Sequence, residues 1–131
     1  MDHATETLIR DTFAASNEGR IHFGEVVGRM IAAGVESYAV DYRAHRTTCY
    51  LANDEALTLH LDVEPAAIAP AFSAEGIRAA IRGAQQGIIM YPEFKRLSMQ
   101  AGCIGYHAWI AGRCVVYHGR RGDTHLEPFP D

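Results

Sequence analysis

Apolar side chains recur every three or four residues in the first third of the chain, a spacing typical of amphipathic helices. Residues 7–16 predict one helix, and the polar segment 17–19 interrupts it. A second helix is expected to end at Gly34, because glycine is favoured just past a helix C-terminus. The apolar positions of the two helices are Leu8, Ile9 and Phe13, and Phe23, Val26, Val27, Met30 and Ile31.

After Gly34 the pattern changes to alternating polar and apolar positions, which is typical of half-buried strands. Tyr38, Val40 and Tyr42 share one face of the first such segment. Short polar turns separate the segments, so the sequence predicts a three-stranded antiparallel meander. The predicted strands cover residues 35–42, 47–52 and 56–63.

The second half of the chain predicts two more helices and a hairpin. Ser73 is a suitable N-cap for the first helix, Pro92 fits the first turn of the second, and Gly102 fits the position just past its end. The predicted segments are residues 73–87 and 91–102 for the helices, with an apolar stripe of Ile77, Ile81, Ala84 and Ile88, and residues 103–119 for the hairpin. The order is ααβββααββ, which predicts an α+β domain with the helices packed on one face of an antiparallel sheet.

A two-residue turn at Ala111-Gly112 would pair Trp109 with Cys114 and Tyr106 with Tyr117. Alternation then sorts the hairpin into two faces. The expected core face holds Ile104, Tyr106, Ala108, Ile110, Val115 and Tyr117, and the other holds Cys103, Gly105, His107, Trp109, Cys114, Val116 and His118.

Length and composition indicate an ordinary globular chain. Its 131 residues, 48% of them hydrophobic, predict a single domain over residues 1–131. A formal net charge of −4 does not favour nucleic acid as a partner. The first twenty residues contain no apolar leader and no run approaches eighteen apolar residues, so we expect no signal peptide and no membrane partner. Three cysteines without a C-x-x-C pair predict free thiols in a reducing cytoplasm, with no zinc site.

The C-terminal segment holds the candidate chemistry. If residues 124–127 are extended, His125 and Glu127 point the same way, and a cluster with His107 and His118 becomes conceivable. Three imidazoles and a carboxylate could supply acid–base catalysis near neutral pH or bind a metal ion. The spacing matches no established metal motif, and histidines are common on strands, so no cofactor or metal is assigned.

Four further residues are candidates for ligand binding: Trp109, Cys114, Arg120 and Arg121. The two arginines lie between Gly119 and Gly122, where backbone N–H and guanidinium groups could bind an anion; a solvated hairpin exit is the alternative. Cys114 could act as a nucleophile beside an imidazole, although free cysteine also packs as a small apolar residue.

Several segments resemble a family of small bacterial proteins that contain a domain of unknown function. These are residues 34–42 (GVESYAVDY), 77–87 (IRAAIRGAQQG), 91–94 (YPEF), 101–123 (AGCIGYHAWIAGRCVVYHGRRGD) and 125–130 (HLEPFP). Members are often labelled "phage envelope protein", and some look prophage-borne. The resemblance covers most of the chain from about residue 20 onward. It implies a fold but no known activity and no assigned catalytic residues.

These observations together favour a small cytosolic domain that acts by binding. The partner could be a second copy of the chain, another protein or a small ligand, and a homodimer would bury the aromatic and histidine face of the hairpin. The alternative is an enzyme of hydrolytic or metal-binding type that uses His107, His118, His125 and Glu127.

Overall fold

The computed structural model describes residues 1–130 as helices packed on one six-stranded antiparallel sheet. The spatial order of the strands is β3-β2-β1-β4-β5-β6. The helices are α1 (His3–Asn17), α2 (Phe23–Ala32), α3 (Ala74–Gln85) and α4 (Tyr91–Gln100). The strands are β1 (Val35–Asp41), β2 (Arg46–Leu51), β3 (Ala56–His60), β4 (Cys103–Trp109), β5 (Cys114–Gly119) and β6 (Thr124–Pro128).

Helix starts follow local capping chemistry. Ser73 caps α3 as predicted, since its hydroxyl accepts a 3.0 Å hydrogen bond from the Gly76 N–H. Helix α1 begins at His3, four residues before the predicted start at Thr7, because the Asp2 carboxylate accepts a 2.8 Å bond from the Thr5 N–H. Residues 3–6 are mostly polar, so apolar spacing alone could not reveal this first turn.

Helix ends rely on glycines with left-handed backbone. Gly34 has φ +78° just past α2, and Gly102 has φ +86° just past α4. A Cβ atom at Gly102 would lie 2.2 Å from the Ala71 carbonyl oxygen, so this corner requires glycine on steric grounds as well.

The predicted apolar stripe of α3 is wrong at its last position. Ile77 and Ile81 are buried as expected, but the Ile88 side chain is 72% exposed. The helix ends at Gln85, and Gly87 (φ +71°) turns the chain, so that Ile89 packs in the core instead.

The predicted register of the C-terminal hairpin is confirmed. Trp109 pairs with Cys114, His107 with Val116 and Tyr106 with Tyr117. Sheet faces follow from this register: Tyr106, Val115 and Tyr117 are buried beneath the helices, whereas Trp109 is exposed. The α+β class with helices on one face of the sheet is therefore confirmed.

Cys103 lies on the opposite face from the one predicted. A bulge between Cys103 and Gly105 shifts the pairing, so that Cys103 lies opposite Gly119 on the helix-facing side and is fully buried. Simple alternation fails at this point because a bulge adds one residue to one strand.

Strand β6 extends the sheet beyond the predicted order. It pairs with β5 in the register Tyr117↔His125 and Val115↔Glu127, after a turn in which the Gly119 N–H donates to the Asp123 carbonyl. The C-terminal segment is thus an edge strand. None of the helices within residues 1–130 has the length and apolar character needed to cross a membrane.

Candidate functional site

A cavity of about 550 Å³ lies between the sheet and the helices. We call it the helix–sheet cavity. Its wall combines the helix-facing side of the sheet with parts of α1, α2, α3 and α4, the loop after α3 and the C-terminal residues 127–130. The cavity is partly open to solvent, so it is a cleft between the helices and the sheet and not an enclosed internal void.

Aromatic rings dominate the wall of the helix–sheet cavity. Several meet edge to face, as Phe13 and Tyr38 do at 5.1 Å between ring centroids and Phe23 and Phe129 at 5.5 Å. This geometry is the preferred one for aromatic pairs and fixes the ring positions. The rings of the wall are Phe13, Phe23, Tyr38, Tyr91, Phe94, Tyr106, Tyr117 and Phe129.

A pair of tyrosine hydroxyls is one of the polar features of the wall, which also includes Ser16, His22, Gln85, Gln86 and Glu127. The Tyr91 and Tyr106 oxygens lie 2.6 Å apart and share a hydrogen bond. Burial raises the pKa of both phenols, because water is not there to solvate a phenolate. Both groups therefore stay protonated over the whole physiological pH range. One O–H of the pair joins the two oxygens, and the other can donate a hydrogen bond to a ligand acceptor.

His125 and Glu127 point to the same side of β6, as predicted. The His125 Nε2 atom lies 3.1 Å from Glu127 Oε1, and the imidazole stacks against the Tyr117 ring at 6.3 Å. Glu127 lines the helix–sheet cavity, and its side chain is 30% exposed. The carboxylate is therefore positioned where the cavity meets solvent.

His107 and His118 lie on the other side of the sheet, which no helix within residues 1–130 covers. We call this side the open face; its larger side chains are Arg46, Tyr50, His60, His107, Trp109, Cys114, Val116, His118 and Leu126. The His107 ring stacks on Trp109 at 3.7 Å and faces Tyr50 at 6.1 Å. Its buried Nε2 atom has no hydrogen-bond partner among residues 1–130. Burial, followed by the nearby His118, lowers the pKa of His107.

The four residues of the predicted cluster therefore do not converge. The sheet separates His107 and His118 from His125 and Glu127. In the register of β5 and β6, His125 lies opposite Tyr117, whose side chain faces the helices, and not opposite His118, whose side chain faces the other way. Within the described chain, no group of three or more His, Cys, Asp or Glu side chains is placed to hold a metal ion.

Arg120 and Arg121 lie in the exposed turn between β5 and β6. The Arg120 guanidinium donates a 3.3 Å hydrogen bond to the Ile68 carbonyl, which ties the turn to the connector before α3. Trp109 and Cys114 share the open face, with the indole 43% exposed and the thiol half-buried. These four residues thus do not contribute to the helix–sheet cavity.

Sequence reasoning missed the cavity itself and the role of α4 in building it. The available signal was the parity of Tyr38, Tyr106 and Tyr117, three phenols expected on a face that is usually aliphatic. Buried tyrosines need partners or accessible space for their hydroxyls, and that requirement indicates a polar or hollow interior.

No protein-family model matches the chain, and no curated protein matches it. The family resemblance of residues 34–42, 77–87, 91–94, 101–123 and 125–130 therefore stays a prediction.

Proposed function

We propose that this chain is a small-molecule binding domain whose ligand occupies the helix–sheet cavity. The observation that carries the proposal is the cavity volume of about 550 Å³ within an aromatic wall. Ligand sites typically measure about 300–1,000 Å³, with mostly apolar walls and a few polar groups that orient the ligand. The Tyr91–Tyr106 hydroxyl pair and Glu127 supply those polar groups here.

Titration calorimetry with a neutral aromatic probe, 1-naphthalenemethanol, tests this proposal. We expect 1:1 binding with a Kd on the order of 100 μM, a reasonable value for a ligand of about a dozen heavy atoms. Ala84→Trp should weaken binding at least tenfold, because Ala84 lines the cavity and an indole would fill it. Ala79→Trp, on the exposed side of the same helix, is the matched control and should bind like the wild type. Equal affinities for the two variants would refute the proposed site.

Self-association across the open face is a second proposal. Tyr50, Trp109 and Leu126 are 40%, 43% and 56% exposed on this one uncovered surface. Six strands span about 24 Å and the strands run about 20 Å, which offers roughly 500 Å² per copy. That area lies at the weak end of specific interfaces and predicts a dimer that forms only at high micromolar concentration. Sedimentation equilibrium should show this dimer, and Trp109→Glu should abolish it; a strict monomer at 1 mM would exclude it.

An enzymatic role is the remaining alternative, and among the predicted residues the geometry favours only His125 and Glu127 for it. Their 3.1 Å contact orients an imidazole beside the cavity mouth, as a carboxylate does for a general base. A panel of naphthyl esters is the suitable substrate set. Hydrolysis lost in His125→Gln and kept in His107→Gln would support this role, and no hydrolysis above the buffer rate would exclude it.

We also propose a cytoplasmic location, which the three free thiols support.

A further inference from the structure

We infer that the ligand of the helix–sheet cavity is an organic cation, namely an amine with an aromatic or branched apolar body, and that Glu127 is its counter-ion. This inference rests on the proposed function, because it specifies the chemistry of the ligand in the same cavity. Three features of the wall support it: its formal charge, its aromatic rings and the orientation of its carboxylate.

The charge of the wall has one sign. Glu127 is an acid, and the part of the chain that the structure describes, residues 1–130, contributes no lysine or arginine to the cavity wall. His22, at the start of α2, is the histidine of the wall. A carboxylate or phosphate ligand would meet Glu127 without a fixed positive partner, whereas an ammonium group would gain a charge-assisted hydrogen bond.

The aromatic rings of the wall favour the same sign. A ring face carries partial negative charge and attracts ammonium groups within about 6 Å of its centroid. Two rings already show this behaviour with cations of the protein: Lys95 Nζ lies 4.9 Å from the Tyr91 centroid, and the Arg113 guanidinium lies 5.8 Å from that of Phe129. The Lys95 ammonium donates to the Asn17 side chain and the Asp62 carbonyl, and Lys95 is not among the residues that line the cavity.

The Glu127 carboxylate can accept a hydrogen bond from a second donor. His125 Nε2 contacts Oε1 at 3.1 Å, which engages one carboxylate oxygen and leaves Oε2 for a ligand ammonium. The site therefore combines an aromatic enclosure with an oriented carboxylate, the arrangement that proteins use for amines and quaternary ammonium groups.

Three matched probes test the inference: 1-naphthylmethylamine, 1-naphthalenemethanol and 1-naphthoic acid, which share one apolar body and differ in charge. Titration calorimetry at pH 7 should give an amine affinity about tenfold above that of the alcohol, with the acid weakest. Glu127→Gln should reduce the amine-to-alcohol ratio to about one. Glu93→Gln removes an exposed carboxylate of α4 that pairs with Arg96, and it should keep the wild-type ratio.

The outcomes separate the two proposals. Alcohol or acid binding that matches or exceeds amine binding, with Ala84→Trp still blocking it, would overturn the organic cation and leave the binding site intact. An amine preference that survives Glu127→Gln would overturn Glu127 as the counter-ion. Absence of binding for all three probes would overturn the proposed function, and the inference with it.

Discussion

The indole of Trp109 stacks on the imidazole of His107, with ring centroids 3.7 Å apart and planes 8° from parallel. Tyr50 continues the stack on the neighbouring side, its ring nearly parallel to the imidazole. This packing buries the Nε2 atom of His107 without a hydrogen-bond partner among residues 1–130. Apolar stacking therefore holds a polar ring in an environment that disfavours its charged form.

We expect His107 to make the protein less stable as the pH falls. Its folded-state pKa is lowered from the ordinary value of 6.5. Just below pH 6.5 the unfolded chain therefore binds more protons than the folded one. The free energy of unfolding then decreases as the pH is lowered, by at most about 1.4 kcal/mol per pH unit. His107→Phe keeps the stack and removes this dependence. Urea unfolding at pH 5 to 7.5 measures it.

His60→Phe, at an exposed position of β3 on the same face, is the control and should retain the wild-type slope. At pH 7.5 His107→Phe should also be at least as stable as the wild type, because it removes an unsatisfied buried nitrogen. A loss above about 1 kcal/mol at that pH, together with an unchanged slope, would contradict this explanation.

The hairpin register was predictable because turn and alternation agree over residues 106–117. The separation of His118 from His125 was not, since it depends on how the turn at 119–123 sets the parity of β6 against β5. In the structure the strands pair so that Tyr117, and not His118, lies beside His125. A sequence pattern shows which side chains share a strand face, but it does not show how the next strand is aligned.

The cavity could not be predicted for a different reason. Apolar periodicity indicates which face of α3 or α4 turns inward, but the distance between helix and sheet is set by side chains packed elsewhere. Lys95 shows a related limit of sequence patterns. It is the only lysine of the chain and is expected in solvent, but it is buried on α4 and donates to the Asn17 side chain and the Asp62 carbonyl.

Gly105 should not tolerate a side chain. A Cβ atom there would lie 2.2 Å from the Val40 carbonyl oxygen on the adjacent strand. Gly105→Ala must separate β4 from β1, and we expect a loss of roughly 3 kcal/mol in unfolding free energy. Gly28→Ala, within α2 and with open space around its Cβ, is the control and should gain about 0.5–1 kcal/mol. Chemical denaturation measures both, and a Gly105→Ala protein of wild-type stability would contradict the predicted clash.

The hydroxyls of Tyr91 and Tyr106 should be energetically coupled. Their 2.6 Å contact lies in the cavity wall, so Tyr91→Phe or Tyr106→Phe leaves the other hydroxyl without this partner. We expect each single variant to lose about 1 kcal/mol and the double variant to lose no more than either single one. A double-mutant cycle in urea measures the coupling. Strictly additive losses would show that the hydroxyls do not stabilise each other.

The three thiols should differ sharply in reactivity. Burial raises the pKa of Cys49 to about 12 and that of Cys103 to about 11, and both side chains are fully buried. Because the thiolate is the reactive form, neither should react before the protein opens. Cys114 is half-buried on the open face, so Ellman's reagent at pH 8 should label one thiol per chain within minutes. Cys114→Ser should remove this phase, while denaturation should release all three thiols of the wild type; rapid labelling of two thiols in the folded wild type would contradict the assigned burial.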